Sequence, residues 1–164
     1  MNKDFKKIII ATGGTGGHIF PALGLAKHFV QNNLEVEIIS DKRGSKYLKK
    51  DYGININIID SSSIYGKNIF KALFSIIKIF FSLFRSFKFL MLKKPDIVFG
   101  MGGYSSFSIC IASKILNIPF IIYENNLYLG RANRFLLPYA KKMLVSYKEL
   151  EGIPKKYENK VVTV

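Results

Sequence analysis

Ile8-Ile9-Ile10-Ala11-Thr12-Gly13-Gly14-Thr15-Gly16-Gly17-His18 joins a β-branched apolar run to a turn built from four glycines, a threonine and a histidine. The run from Ile8 to Thr12 reads as a buried strand, and Ile19 to Val30, apolar at Ile19, Leu23, Ala26 and Val30, reads as the helix after it. The glycines therefore occupy a strand-to-helix corner. Glycine tolerates φ > 0 and has no Cβ, and the first turn of a helix leaves N–H groups unpaired, so such a corner can hold an anion or a sugar hydroxyl. His18 stands at its rim; a tight turn whose glycines only permit close packing is the plainer reading. A dinucleotide fingerprint starting at Gly14 needs glycine where Ile19 stands, and a P-loop needs Gly-Lys-Ser/Thr where Gly17-His18-Ile19 stand. Neither a redox dinucleotide nor ATP fits.

Outward from this corner, strand-like and helix-like stretches alternate. Val36 to Ile39, Ile54 to Ile59, Pro95 to Phe99, Pro119 to Tyr123 and Lys142 to Val145 read as strands. Between them lie a polar helical stretch at 42–52, a long apolar helix, Ser105 to Leu116 and Arg131 to Tyr139. Alternation of this kind indicates parallel βαβ units with right-handed crossovers, and so a doubly wound, mostly parallel Rossmann-like α/β sheet. At 164 residues and 49% hydrophobic content, one domain with a proper core is expected. Cys110, the single cysteine, sits between Ile109 and Ile111 and reads as a small core residue in a reducing compartment. His18 and His28 have no carboxylates near them in sequence, so no protein-bound metal and no cofactor are expected.

The formal charge of +14 admits nucleic acid, an anionic membrane surface or an acidic substrate as partner. Gly66 to Lys94 contains no acidic residue. Within it Lys71, Lys78 and Arg85 recur every seven residues and line up as one basic stripe, extended by Lys67, while the rest of the circumference is apolar. Ile76, Phe80, Phe84 and Phe87 face a different side from Phe70, Phe74, Phe81 and Leu92, which is more apolar surface than one sheet-packing stripe requires. A band of this kind suits contact with anionic lipid head groups, with Lys71, Phe74, Lys78, Phe81 and Arg85 as the contact set. A core helix with outward-snorkelling lysines is the alternative. The three cations break the stretch into runs shorter than the roughly 20 residues a bilayer needs, and no signal peptide precedes it. Nucleic acid fits poorly, because the basic residues are interleaved with bulky apolar ones rather than polar ones.

Three loops fall at the carboxyl ends of predicted strands, where ligands of such sheets bind. They are Gly13 to His18, Gly100-Met101-Gly102-Gly103-Tyr104, and Glu124-Asn125-Asn126. Ser105 and Ser106 can supply hydroxyls to a ligand or cap a helix. Glu124 can orient a substrate hydroxyl, act as a base, or tie down its loop. Asn126 and Asn133 are sugar hydrogen-bonders or turn residues.

Taken together, Gly13-Gly14-Thr15-Gly16-Gly17-His18-Ile19-Phe20-Pro21-Ala22, Lys94-Pro95-Asp96-Ile97-Val98-Phe99-Gly100-Met101-Gly102-Gly103-Tyr104 and Tyr123-Glu124-Asn125-Asn126 resemble, in order, the bacterial peptidoglycan N-acetylglucosaminyltransferases of glycosyltransferase family 28. The resemblance implies the amino-terminal half of a metal-independent, inverting GT-B enzyme. Its reaction would move N-acetylglucosamine from UDP-N-acetylglucosamine onto undecaprenyl-diphosphate-linked muramoyl-pentapeptide (lipid I) to make lipid II, at the cytoplasmic face of the inner membrane. Carried across by position, Thr15, Gly16, Gly17 and Asn126 would meet the donor, with Gly14, Gly102 and Gly103 in loops facing the acceptor diphosphate. His18, Tyr104, Glu124 and Asn133 would line the acceptor and catalytic cleft, with His18 or Glu124 assisting deprotonation of the acceptor hydroxyl. The family's membrane-docking patch would coincide with the long helix. Tyr123 and Asn125 stand where the family usually has His and Gln. The resemblance also leads one to expect, after Val164, a carboxyl-terminal donor-binding domain that this 1–164 acceptor- and membrane-binding domain lacks; without it the competing reading is a lipid-linked-sugar scaffold that recruits a catalytic partner.

Overall fold

Among the residues it describes, the computed structural model forms one seven-stranded sheet, parallel at every pairing. The structure describes residues 5–48, 53–59 and 69–164, with side chains for all of these except 69–76, 104 and 105. Its elements are β1 (Lys7–Ala11), α1 (Gly16–Gln31), β2 (Glu35–Ser40), β3 (Asn55–Ile58), α2 (Ile69–Lys93), β4 (Ile97–Gly100), α3 (Gly103–Ile115), β5 (Phe120–Glu124), α4 (Arg131–Leu136), β6 (Lys142–Val145) and β7 (Val161–Thr163). The doubly wound parallel sheet expected from the alternation is what forms, in the order β3-β2-β1-β4-β5-β6-β7. Strand order reverses between β1 and β4, so the two glycine loops, which follow those two strands, flank the crevice at the switch point.

Side-chain alternation along β1 divides the core. Ile8 and Ile10 pack with Ile19, Leu23 and Ala26 of α1, while Ile9 and Ala11 join Leu90 of α2 and Ile109 and Ala112 of α3 on the other face. Cys110 is fully buried in that second layer, where desolvation pushes its thiol far above the ordinary range, and its Sγ fills the space beside Gly100. Glu37, a buried carboxylate within β2, is matched by Lys93 Nζ at 2.8 Å, Lys7 Nζ at 3.6 Å and Asn57 Nδ2 at 2.9 Å.

The structure departs from the sequence reading in several places, beginning with α1 and α3, which start at Gly16 and Gly103 and so take in the ends of the two glycine loops. The polar stretch at 42–52 forms, within its described part, only a one-turn 3-10 helix at Gly44–Tyr47. The α4 helix closes at Leu136 rather than Tyr139. A seventh strand follows Lys160, whose ammonium donates to the carbonyls of Leu137, Pro138 and Ala140 and so ties the chain before β7 to the end of α4. That strand has only three residues, too few for a periodic signal.

The long apolar helix packs on α3 along Ser82, Ser86 and Leu90, spaced four apart, with Leu83 and Phe87 at the flank. Its exposed side carries Ile77, Phe80, Phe81, Phe84, Met91 and Leu92. Phe80 and Phe84 share this exposed side with Phe81 and Leu92, contrary to the two-faced split read from the sequence. Two serines, not phenylalanines, mark the packing seam, because small side chains let helices approach closely. Lys78 and Arg85 are exposed on the same helix. The side chains of Lys71 and Phe74, and all of Lys67, lie outside the described residues. Among the described residues no helix is long and apolar enough to cross a membrane.

Candidate functional site

Glycine at three loop positions is required by geometry. Gly14, Gly102 and Gly103 have φ of 84°, 94° and 83°, in the left-handed region where other side chains are strained. A Cβ on Gly103 would lie 2.7 Å from the carbonyl oxygen of Gly13, so the two glycine loops touch backbone to backbone. A Cβ on Gly102 would lie 2.6 Å from Nδ1 of His18. The imidazole therefore rests on bare backbone, and α1, which starts at Gly16, aims it into the crevice from its first turn.

A cavity of about 280 Å³ opens there, lined by His18, Gly102, Gly103, Glu124, Asn126 and Asn133, together with Gly130, Arg131 and Ala132. Six of the residues singled out in the sequence are thus gathered in one place, from the starts of α1 and α3, the end of β5 and the loop after it, and helix α4. Burial lowers the His18 pKa, opposed by the Glu124 carboxylate and the Met101 backbone, so the ring is neutral at pH 7 and able to accept a proton. Its Nδ1 is buried and makes no well-directed hydrogen bond.

Glu124, at the carboxyl end of β5 and 3% exposed, is occupied from within. Oε1 accepts from the backbone N–H and Nδ2 of Asn126 at 3.2 and 2.6 Å, and Oε2 accepts from the N–H of Gly130 at 2.9 Å and from Nδ2 of Asn133 at 3.0 Å. A carboxylate offers about four lone-pair sites, and four donors fill them. Of the three roles open to Glu124 in the sequence, loop anchoring is the one its hydrogen bonds serve. Asn133 also donates to the carbonyl of Tyr123, so its amide nitrogen is committed to the protein.

The replacements Tyr123 and Asn125 have partners of their own. Tyr123 Oη lies 2.6 Å from Ser146 Oγ, and Asn125 Nδ2 donates to the Gly17 carbonyl at 2.7 Å, fastening the third loop to the start of α1. Ser106 is buried and donates its hydroxyl to the Gly103 carbonyl three residues back, while the N-cap position of α3 is taken by Gly102 without a side-chain cap bond. The side chains of Tyr104 and Ser105 lie outside the described residues. Thr15 and Gly17 are exposed at the first loop, and Gly16 is half-buried.

Sequence reasoning missed the loop after β2. Buried Asp41 accepts at Oδ1 from the N–H groups of Gly14, Arg43 and Gly44 at 3.2, 3.1 and 2.7 Å, and at Oδ2 from Arg43 Nη2 at 3.1 Å. Burial pushes this carboxyl up, but the Gly44 and Gly14 amides and the Arg43 guanidinium outweigh it and hold the pKa below the usual value. The signal was an acid at the carboxyl end of a strand, two residues before an arginine and three before a glycine. Among the described residues no group of three His, Cys, Asp or Glu side chains is placed to hold a metal.

Comparison with known proteins agrees with this geometry. The model of the glycosyltransferase family 28 N-terminal domain matches residues 8–145. Over 157 residues the chain is 36% identical to the UDP-N-acetylglucosamine--N-acetylmuramyl-(pentapeptide) pyrophosphoryl-undecaprenol N-acetylglucosamine transferase of Rickettsia bellii, covering 96% of this chain and 43% of the relative. It is 37% identical over 159 residues to the enzyme of the same name from Pelagibacter ubique, covering 97% and 44%. Superposition on the crystal structure of Acinetobacter baumannii MurG gives a TM-score of 0.81 at 29% identity, covering 96% of this chain and 45% of that one. The Staphylococcus aureus MnaA–UDP complex shares the fold, with a TM-score of 0.69 at 20% identity. The chain spans less than half the length of these relatives. A family model matched from β1 to β6, over the glycine loops and the Glu124 loop alike, places the protein: the chain belongs to the glycosyltransferase family 28 N-terminal domain family.

Proposed function

We propose that this domain supplies the acceptor side of an inverting N-acetylglucosaminyl transfer from UDP-N-acetylglucosamine to undecaprenyl-diphosphate-linked muramoyl-pentapeptide. The observation that carries the reading is the half-buried His18 seated on Gly102 in a cleft where Glu124, the one lining carboxylate among the described residues, is filled by its own hydrogen bonds. His18 is then the base. It takes the proton of the acceptor hydroxyl as that oxygen attacks the anomeric carbon, the bond to UDP breaks and the configuration inverts. Glu124 is a positioning residue that shapes the loop from Glu124 to Gly130 and favours the imidazolium once the proton has moved.

Thr15, Gly16, Gly17 and Asn126 border the donor, and Gly102 and Gly103 face the acceptor diphosphate. A carboxyl-terminal domain completes the donor site. Docking to the cytoplasmic face of an anionic membrane runs through the exposed side of α2, where Phe80, Phe81 and Phe84 are each more than half exposed beside Lys78 and Arg85.

Transfer of labelled N-acetylglucosamine to a lipid I analogue tests the reading. The chain combined with the carboxyl-terminal domain of a relative should transfer, and His18→Ala should lower that rate about 10²- to 10⁴-fold, the usual share of a general base. Transfer by the lone chain would contradict the division between two domains, and an undiminished His18→Ala rate would remove His18 from the chemistry.

A further inference from the structure

The loop after β2 stands on the far side of the first glycine loop from the His18 cavity, and nothing in the proposed reaction uses it. Its geometry is highly determined. Asp41 is 2% exposed and holds the Gly14 N–H on one oxygen and the Arg43 guanidinium on the other. Gly44 fits only as glycine, since a Cβ would come within 2.4 Å of Ser40 Oγ, 2.7 Å of Ile19 Cδ1 and 3.2 Å of Gly13 Cα. The Arg43 side chain is nonetheless 57% exposed, and its Nη2 lies 3.9 Å from where a Gly14 Cβ would be. A guanidinium is thus pinned above the glycine turn with most of its surface open.

Both carboxylates bordering the crevice face inward. Glu124 accepts four donors from its own loop and the start of α4, and Asp41 accepts three backbone N–H groups, one of them from Gly14, and a single nitrogen of the Arg43 guanidinium, which leaves the rest of that fork open. Arg43 on one side of the first glycine loop and Arg131 on the cavity side remain as the charges a ligand meets, together with the first-turn amides of α1. A guanidinium carries five N–H donors in a fixed fork, which matches phosphate oxygens two at a time.

We infer that Arg43, oriented by Asp41, is a diphosphate-binding residue of this domain, engaging the anionic group that lies across the first glycine loop. The assignment rests on the acceptor-side reading above for which molecule carries that diphosphate, but not for the binding itself. Asp41 is a positioning residue, acting through Arg43.

Inorganic diphosphate titrated into the ¹⁵N-labelled 164-residue chain tests it, with amide shifts of Gly14, Gly16 and Gly17 as the readout. The wild-type chain should bind with shifts at these glycines. Arg43→Gln, a change at a mostly exposed side chain, should weaken binding about tenfold or more, the usual worth of a hydrogen bond to a charged group; Arg43→Lys should fall between, keeping charge but losing the fork. Asp41→Asn keeps an oxygen for the Gly14 N–H and loses the acceptor for Nη2. Its Gly14 resonance should stay near the wild-type position without ligand while affinity drops several-fold.

Lys141→Gln, an exposed lysine at the opposite end of the sheet, measures what the net positive charge alone contributes. An Arg43→Gln loss no larger than the Lys141→Gln loss would overturn the inference. So would absence of diphosphate binding by the wild-type chain, and an Asp41→Asn affinity equal to wild type would strike Asp41 from it. A polyprenyl-diphosphate sugar that fails to compete with Arg43-dependent diphosphate binding would leave the assignment standing and refute the acceptor reading instead.

Discussion

Protonation of His18 is coupled to folding through its seat. Burial lowers its pKa below the ordinary 6.5, so between those two values the unfolded chain binds more protons than the folded one. Stability from this group is complete above pH 6.5 and is lost as pH falls toward the folded pKa. Denaturant unfolding from pH 8 to pH 5 should show that decline, and His18→Gln should flatten it; an equal slope in the variant would mean the ring does not titrate as its burial demands. Asp41 acts in the same direction at lower pH, since its depressed pKa gives stability present above 3.8 and lost below. Gly102→Ala is the sharpest steric test, combining φ of 94° with a contact 2.6 Å from Nδ1. It should cost about 1–3 kcal/mol of stability, the usual strain of a non-glycine in that region, and displace the imidazole resonances. That His18 and the glycines beside it share one corner was legible from their spacing after an apolar run. The contacts of Asp41 and Glu124 were not, because which oxygen meets which amide is decided by how the folded loops close.

Elements with a strong period were read best. Strands β1, β2, β4, β5 and β6 announce themselves as apolar runs after turn residues, since a doubly covered parallel strand needs no polar face. The α2 helix was legible as an element but not in its orientation, because an almost wholly apolar surface carries no marker of the side that packs. Ser82 and Ser86 were that marker, and their inward position leaves Phe80, Phe81 and Phe84 outside. A double change, Phe81→Ser with Phe84→Ser, removes two exposed rings from that side without touching the seam. Burying a phenylalanine fully in an apolar phase is worth about 1.5–3 kcal/mol, and half-insertion at an interface about half of that. Sedimentation with phosphatidylglycerol-containing vesicles should show partitioning fall about tenfold or more, with unfolding midpoints unchanged. A folded double variant that partitions as the wild type does would remove α2 as the docking element.

Across the whole molecule the sheet separates two surfaces. Carboxyl ends of β1, β4 and β5 carry the crevice, whereas α2 lies against the face that β1 presents through Ile9 and Ala11. Arg43 and Asp41 close on the first glycine loop, and the exposed phenylalanines of α2 project from the outer side of that helix. Changes at distant, independent sites add. Phe81→Ser with Phe84→Ser should therefore leave the affinity for inorganic diphosphate at its wild-type value while vesicle partitioning collapses. Arg43→Gln should do the reverse, apart from the small loss in vesicle binding that one fewer charge brings. Salt distinguishes these contributions: at about 0.1 M the screening length is roughly 10 Å, so the charge component of vesicle binding fades with added salt while the aromatic component persists. The combined variant should lose both activities by the sum of the single losses in free energy. A deficit well beyond that sum would show that membrane contact reorganises the glycine loops, and the two surfaces would then be one device rather than two placed on a common sheet.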